Sequence, residues 1–408
     1  MRPSTKSLLG PLLAIFAAGV PMAWLWGFSV DDAFISARVA HHLANGHGYR
    51  FNAEGPIVDA VTPLGWALLL APFARSSVTE TLVAAQWLGA AAWVTAAGAL
   101  GREWMRLGWH GLAVGALGLL VNAPLAAWSV SGMETGVVTA LACVGVLPGT
   151  LAAPALGLAA ALRPELAPWA AAIAVGRGAW EGGSRSPRAR LFRAARGLAW
   201  VAGGCVLVGV LRTHFFGHAY PLSLVAKPSD VQHGARYALG ALLLSGPPLL
   251  LATRVLRRAS VRTRIIAAAL PAHVVSLIVA GGDWMPLYRL FVPVLPSLLL
   301  AAAELAQLKT AGPARAVRLG AMLAVCAAVG ITLGPSARAV GTQRGALIEA
   351  ARPLLSRSRI VAALDVGWLG AATSASIVDL AGVTDPTIAR LPGGHTTKRL
   401  PAGLLESR

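Results

Sequence analysis

The sequence predicts an all-α polytopic membrane protein with about eleven transmembrane helices, an interfacial helix on the outer face and a small C-terminal α/β appendage. Three observations predict it. Of 408 residues, 56% are hydrophobic and only 13% charged, and the mean hydropathy is +0.65. A soluble fold of this size has too little interior to hide that much apolar surface. Apolar runs long enough to cross a bilayer recur along the chain. The basic residues behind the net charge of +18 fall in short clusters between those runs. That pattern points to an anionic cytoplasmic membrane surface and excludes nucleic acid as the partner. The 13 tryptophans suit rings anchored at the lipid–water boundary. Cys143, Cys205 and Cys326 all lie in apolar runs, with neither disulfide-framework nor metal-type spacing, and read as buried thiols.

Arg2 and Lys6 precede roughly twenty apolar residues, which predicts an uncleaved first span with the N-terminus inside rather than a signal peptide. Further spans are expected at 81–100, 111–128, 133–147, 150–162, 164–177, 197–214, 238–253, 265–280, 290–306 and 317–334. The pieces 133–147, 150–162 and 164–177 are short and punctuated by proline, so tilted or re-entrant segments are the alternative there. Alternate loops then carry Arg102 with Arg106; Arg177, Arg185, Arg188, Arg190, Arg193 and Arg196; Arg254, Arg257, Arg258, Arg262 and Arg264; and Lys309, Arg315 and Arg318. These are the expected cytoplasmic loops. The opposite loops hold Asp31 and Asp32, Glu134, Arg163–Glu165, His218–Lys227 and Asp283–Arg289. One orientation thus satisfies the positive-inside rule and gathers the unusual polar groups outside. Residues 335–408 follow as an outer domain beside the membrane domain 1–334. In it, strand-like Ile360–Leu364 and Ile377–Leu380 flank a glycine-containing turn.

The passage from Val30 to Trp66 is the first long polar stretch and opens on two adjacent carboxylates. Carboxylates at a membrane surface cost solvation energy, so they point to function. Asp31 or Asp32 is a good N-cap for a helix over Ala33–Asn45, with Gly46 as its stop. Ile35, Val39 and Leu43 share one face, and Arg38, His41 and Asn45 another, which describes an amphipathic helix lying in the interface. Capping needs one carboxylate and leaves the second for chemistry. His41 and His42 read as interfacial. After the helix, Asn52, Glu54, Asp59 and Thr62 supply hydrogen-bonding groups of the kind that orient a sugar.

The passage DDAFISARVAHHLANGHGYRFNAEGPIVDAVTP resembles the GT-C superfamily of polyprenyl-phosphate-sugar-dependent glycosyltransferases. The likeness is greatest to the bacterial branch of terminal arabinofuranosyltransferases and mannosyltransferase-like proteins. Further motifs follow in the same order: SGMET at Ser131–Thr135, LRPE at Leu162–Glu165, AK at Ala226–Lys227, GGDWMPLYR at Gly281–Arg289 and DLAGVTDPTIAR at Asp379–Arg390. The chain departs from the pattern at Asp59–Pro63, where relatives carry Glu-Gly-x-Thr-[Ser/Asn]-Pro. It departs again before Lys227, where the Asn after Pro is missing. Both departures bear on sugar identity.

The resemblance implies a sugar such as arabinofuranose or mannose, carried on a polyprenyl phosphate. It is transferred with inversion to an envelope glycan, lipid or protein acceptor at the outer face of a bacterial plasma membrane. Asp31 or Asp32 is the expected base. Arg289, Lys227, Arg163 and Arg38 are the expected ligands of the donor phosphate. Glu134, Glu165 and Asp283, with Asn52, Glu54, Asp59 and Thr62, are the expected acceptor and sugar contacts. Asp365, Asp379 and Asp385 read as turn and cap residues. No cofactor is expected. Two adjacent aspartates also suit a hard divalent cation, but no complete ligand set accompanies them. Two other classes stay open: a transporter or flippase of lipid-linked sugars, which predicts inverted repeats and mid-span charges, and a non-catalytic assembly subunit, which predicts tolerance of Asp31 and Asp32 substitution.

Overall fold

A computed structural model describes residues 5–181, 186–245, 253–308 and 312–405. Arg2, Arg185, Lys309 and residues 246–252 of the span expected at 238–253 lie outside the described residues, as do the side chains of Lys6, Arg254 and Arg315. The chain is mostly helical. In order it forms α1 (Thr5–Trp24), α2 (Asp31–Ala44), α3 (Leu64–Leu70), α4 (Val78–Arg106), α5 (Trp109–Leu120), α6 (Ala123–Ser129), α7 (Thr135–Val146), α8 (Ala152–Leu162) and α9 (Ala167–Gly176). There follow α10 (Pro187–Phe216), α11 (Leu222–Ala226), α12 (Val231–Ser245), α13 (Thr253–Leu256), α14 (Val261–Ala280), α15 (Leu295–Leu305) and α16 (Gly312–Leu355). The tail adds β1 (Ile360–Ala363), α17 (Val366–Ala372), β2 (Ser376–Asp379) and α18 (Pro386–Ala389). Single 3₁₀ turns occupy Ala71–Phe73 and Pro164–Leu166, and a longer 3₁₀ segment runs over Arg289–Val294.

Among the described residues, four helical stretches are long and apolar enough to cross a membrane: Val78–Arg106, Pro187–Phe216, Val261–Ala280 and Ala316–Leu355. A fifth is possible if α5 and α6, bent by 64°, count as one broken span. Fewer stretches meet that criterion than the eleven spans expected. The runs at 133–147, 150–162, 164–177 and 290–306 form helices of 12, 11, 10 and 11 residues. At about 1.5 Å per residue, none alone reaches across a hydrocarbon core of about 30 Å. The run expected at 111–128 breaks at Asn122, whose side chain accepts from Leu125 N at 3.0 Å and starts a new helix with Pro124 in its first turn.

The chain divides into two compact units, the first comprising Met1–Phe28, Trp87–Val206 and Asp230–Ala339. Within it α1 packs on α5 and α6, α7 on α8, α8 on α9, and α14 on α9, α12 and α15. Two crossings depend on missing side chains. A Cβ on Gly10 would lie 2.5 Å from Gly101 O, and one on Gly204 would lie 2.4 Å from Gly157 O, so α1 meets α4 and α8 meets α10 backbone to backbone. Helix α14 starts at Ser260, whose hydroxyl accepts from Thr263 N, and stops at Gly281 in the left-handed region.

The second unit comprises Ser29–Gln86, Leu207–Ser229 and Val340–Arg408. From Val340 onward the expected C-terminal domain falls in this unit, with the first polar loop and the segment around Lys227, and α16 runs unbroken through residue 335. The strands expected at 360–364 and 377–380 form a parallel pair, Ile360 opposite Ser376, with α17 between them in sequence. Helix α2 is the centre of this unit. It packs against α17 and α3 and buries Phe34, Ile35, Arg38, Val39 and His42, so it is surrounded by protein instead of lying half-exposed in an interface.

Candidate active site

The second unit holds the aspartate pair, and it gives the two carboxylates different environments. Neither is the N-cap of α2, because Val30 takes that position and leaves Asp31 and Asp32 in the first turn. Carboxylates there suit the positive end of the helix dipole. The oxygens of Asp31 accept from Gly367 N at 2.8 Å and Trp368 N at 2.9 Å, closing the start of α17. Gly367 must lack a side chain, since a Cβ would come within 2.0 Å of Asp31 O. Burial pushes the Asp31 carboxyl up to about 6, the charges of Asp32 and Asp365 add to that, and the two N–H bonds oppose it.

A carboxyl raised in the folded state stabilises the fold only when protonated. Its contribution is complete below about 3.8 and is lost as the pH rises through about 6. Asp31→Asn is therefore expected to flatten a stability curve that otherwise declines between those values. Thermal unfolding of the two proteins from pH 4 to pH 7 is the measurement, and parallel curves would refute the assignment.

Asp32 points elsewhere. Its carboxylate lies 4.0 Å from Lys227 Nζ, and the two side chains are 27% and 30% exposed. His395, which the sequence reading did not single out, feels the charges of Lys227, Asp32, Lys398 and Asp365. Its Nδ1 is buried without a hydrogen-bond partner. The second unit therefore places a reachable carboxylate, an ammonium group and an imidazole together.

Several expected site residues are instead part of the frame. Arg38, expected at a phosphate, donates to Phe51 O, Gly370 O, Thr373 O and Ala375 O over 2.8–3.1 Å. It closes the carbonyl end of α17 and is only 3% exposed. Asn52 brackets Ile377, donating to its O and accepting from its N, both at 2.9 Å, and so continues the free edge of β2. Asp59 is buried in an ion pair with Arg212 at 2.8 Å, and Arg212 also donates to Thr62 O. The Thr62 hydroxyl bonds Ser223 Oγ at 2.8 Å. Glu54 is exposed. Asp379 accepts from Ala381, Gly382 and Thr384, and Asp385 caps α18, as turn and cap residues should. His41 and His42 bond Ala74 O and Arg50 O. Arg212 was missed because its partner is 153 residues away, although a lone Arg within the apolar run 197–214 is itself a signal.

The first unit holds the remaining expected residues in a separate cluster. Arg163, at the end of α8, lies 2.5 Å from Glu134 through Nε and 3.2 Å from Glu165 through Nη1, and its Nη2 donates to Thr135 Oγ1. Glu134 is fully buried, and neither of its oxygens has an aligned hydrogen bond. Asp283 pairs with Arg289 at 2.7 Å, and that guanidinium lies over the Trp128 ring. The charges of Asp283, Arg289 and Arg163 all reach Tyr237. With three carboxylates against two guanidiniums, the cluster carries one more negative than positive charge. That balance suits hydroxyl groups better than a phosphate.

Among the described residues, no group of three or more His, Cys, Asp or Glu side chains is placed to hold a metal ion. Compared with known proteins, the chain matches no family model, no curated protein and no solved structure.

Proposed function

We propose that this chain is a membrane glycosyltransferase of the GT-C type. In this reading it moves a sugar from a polyprenyl-phosphate donor to a hydroxyl of an envelope acceptor, on the outer side of a bacterial plasma membrane, with inversion. The observation that carries the proposal is the split within the aspartate pair: Asp31 is committed to α17, while Asp32 stays reachable beside Lys227. Asp32 is the base. As the acceptor oxygen bonds to the anomeric carbon, the carbon–oxygen bond to phosphate breaks and its electron pair leaves with the phosphate. The acceptor proton ends on Asp32. Lys227 meets the developing negative charge on the leaving phosphate. The order of motifs from Asp31 to Arg390 supports the same reading.

The test is incubation of the full chain in lipid bilayers with a panel of polyprenyl-phosphate sugars and glycan acceptors. Transfer with inverted anomeric configuration is expected, and it is expected to persist with EDTA present, because the proposed step uses side chains alone. Loss of all transfer on chelation, restored by a divalent cation, would replace this mechanism with a metal-assisted one. Absence of transfer from every donor in the panel would remove the proposal.

A further inference from the structure

In the first unit, Trp284 is 73% exposed, yet its ring does not hang free. The indole stacks on the His233 imidazole, with centroids 3.9 Å apart and planes 12° from parallel. That imidazole is itself fixed: Nδ1 donates to Gly281 O at 2.9 Å, and His233 N donates to Asp230 Oδ1 at 3.0 Å as α12 begins. The loop that carries Trp284 is held from several sides. Gly281 and Gly282 take φ of +84° and +72°, and a Cβ on Gly282 would meet Tyr237 Cβ at 2.8 Å. Leu287 and Tyr288, neither of them glycine, sit at φ of +61° and +51°, a costly backbone that persists only where its surroundings impose it. Trp128 Nε1 donates to Pro286 O and Leu287 O at 3.2 and 3.1 Å, and Tyr237 Oη accepts from Leu290 N at 3.0 Å. The result is an indole fixed in one plane, with one face covered by His233 and the other open.

We infer that Trp284, backed by His233, is a carbohydrate-stacking platform that takes one ring of the glycan acceptor. Naming the ligand an acceptor rests on the transferase reading above; the platform itself does not. The edge of the stack is polar, because Trp284 Nε1 and His233 Nε2 make no hydrogen bond among the described residues. A sugar ring matches both features. One of its faces carries C–H bonds that pack on a π surface, and its rim carries hydroxyls that can donate or accept at the two nitrogens. Fixing the indole in advance removes an ordering cost from binding. A membrane anchor needs an indole at the lipid–water boundary but gains nothing from holding it in one plane.

Two arms test this. In the first, hydroxyl-radical oxidation of the full chain in lipid nanodiscs is read by mass spectrometry, with no transfer required. A mannose or arabinofuranose tetrasaccharide is expected to slow oxidation of Trp284 and to leave Trp87, which is 61% exposed, unchanged. Oxidation of Trp284 that neither oligosaccharide slows overturns the inference, and shielding by the lipid alone identifies a membrane anchor in its place. Equal slowing at Trp87 overturns it too. In the second arm, Trp284→Ala is expected to raise the acceptor KM about tenfold with the donor KM unchanged, while Trp284→Phe, which keeps a π face, stays within about threefold of the parent. Unchanged acceptor KM in Trp284→Ala, or equal damage from Ala and Phe, overturns the inference, while active parent protein leaves the transferase reading standing. Protection by oligosaccharide in a protein that transfers from no donor supports the platform and removes the transferase reading.

Discussion

Asp32→Asn is expected to lower transfer by a factor of about 10²–10⁴, the range a positioned general base contributes. The substitution keeps the shape of the side chain and removes only its capacity to take a proton. Asp32 has 27% of its side chain exposed beside Lys227, so losing its charge leaves no buried cation unpaired. The variant should therefore fold, which circular dichroism and size exclusion in detergent would check. Asp31→Asn is the matched control. It alters the clamp on Gly367 N and Trp368 N but leaves the reactive neighbour in place, so its transfer rate should exceed that of Asp32→Asn by at least about tenfold. Equal rates for the two variants would move the chemistry away from Asp32. An Asp32→Asn protein as active as the parent would remove it from the mechanism.

The asymmetry between these neighbours was not legible in the sequence, where the two carboxylates are interchangeable. What separates them is α17, 336 residues downstream of Asp31, and local pattern carries no information about such a partner. The same holds for Arg38, whose carbonyl partners Gly370, Thr373 and Ala375 lie more than 330 residues away. The amphipathic pattern placed this helix in an interface, whereas folding brought α17 against it at Arg38. Even short-range pairs escaped the reading: Arg163 and Arg289, expected at a phosphate, pair with Glu165 and Asp283, two and six residues away. The two short strands fell where short apolar runs flanking a glycine-containing turn placed them. Hydropathy found the apolar runs but not their helix ends. An apolar run of 12 residues buried against α8 looks the same to it as part of a span.

Arg212→Met is expected to destabilise the second unit by about 3–5 kcal/mol, the usual cost of removing one partner from a buried ion pair. Arg212 is 1% exposed and Asp59 2%, so the carboxylate left behind cannot turn to water. One oxygen of Asp59, Oδ1, already lacks a hydrogen-bond partner, and burial raises the carboxyl despite the adjacent guanidinium. Arg212 also ties down Thr62 O, so its loss frees the turn that sets Thr62 against Ser223. Removing both charges should cost less than removing one, because the cost of an orphaned buried charge exceeds the net worth of the pair. The double variant Asp59→Leu/Arg212→Met is therefore expected to recover at least about 1 kcal/mol relative to Arg212→Met alone. Denaturant unfolding of the single and double variants in detergent measures both. A coupling of zero in that cycle would mean that the pair is held in place by its surroundings and does not hold the turn.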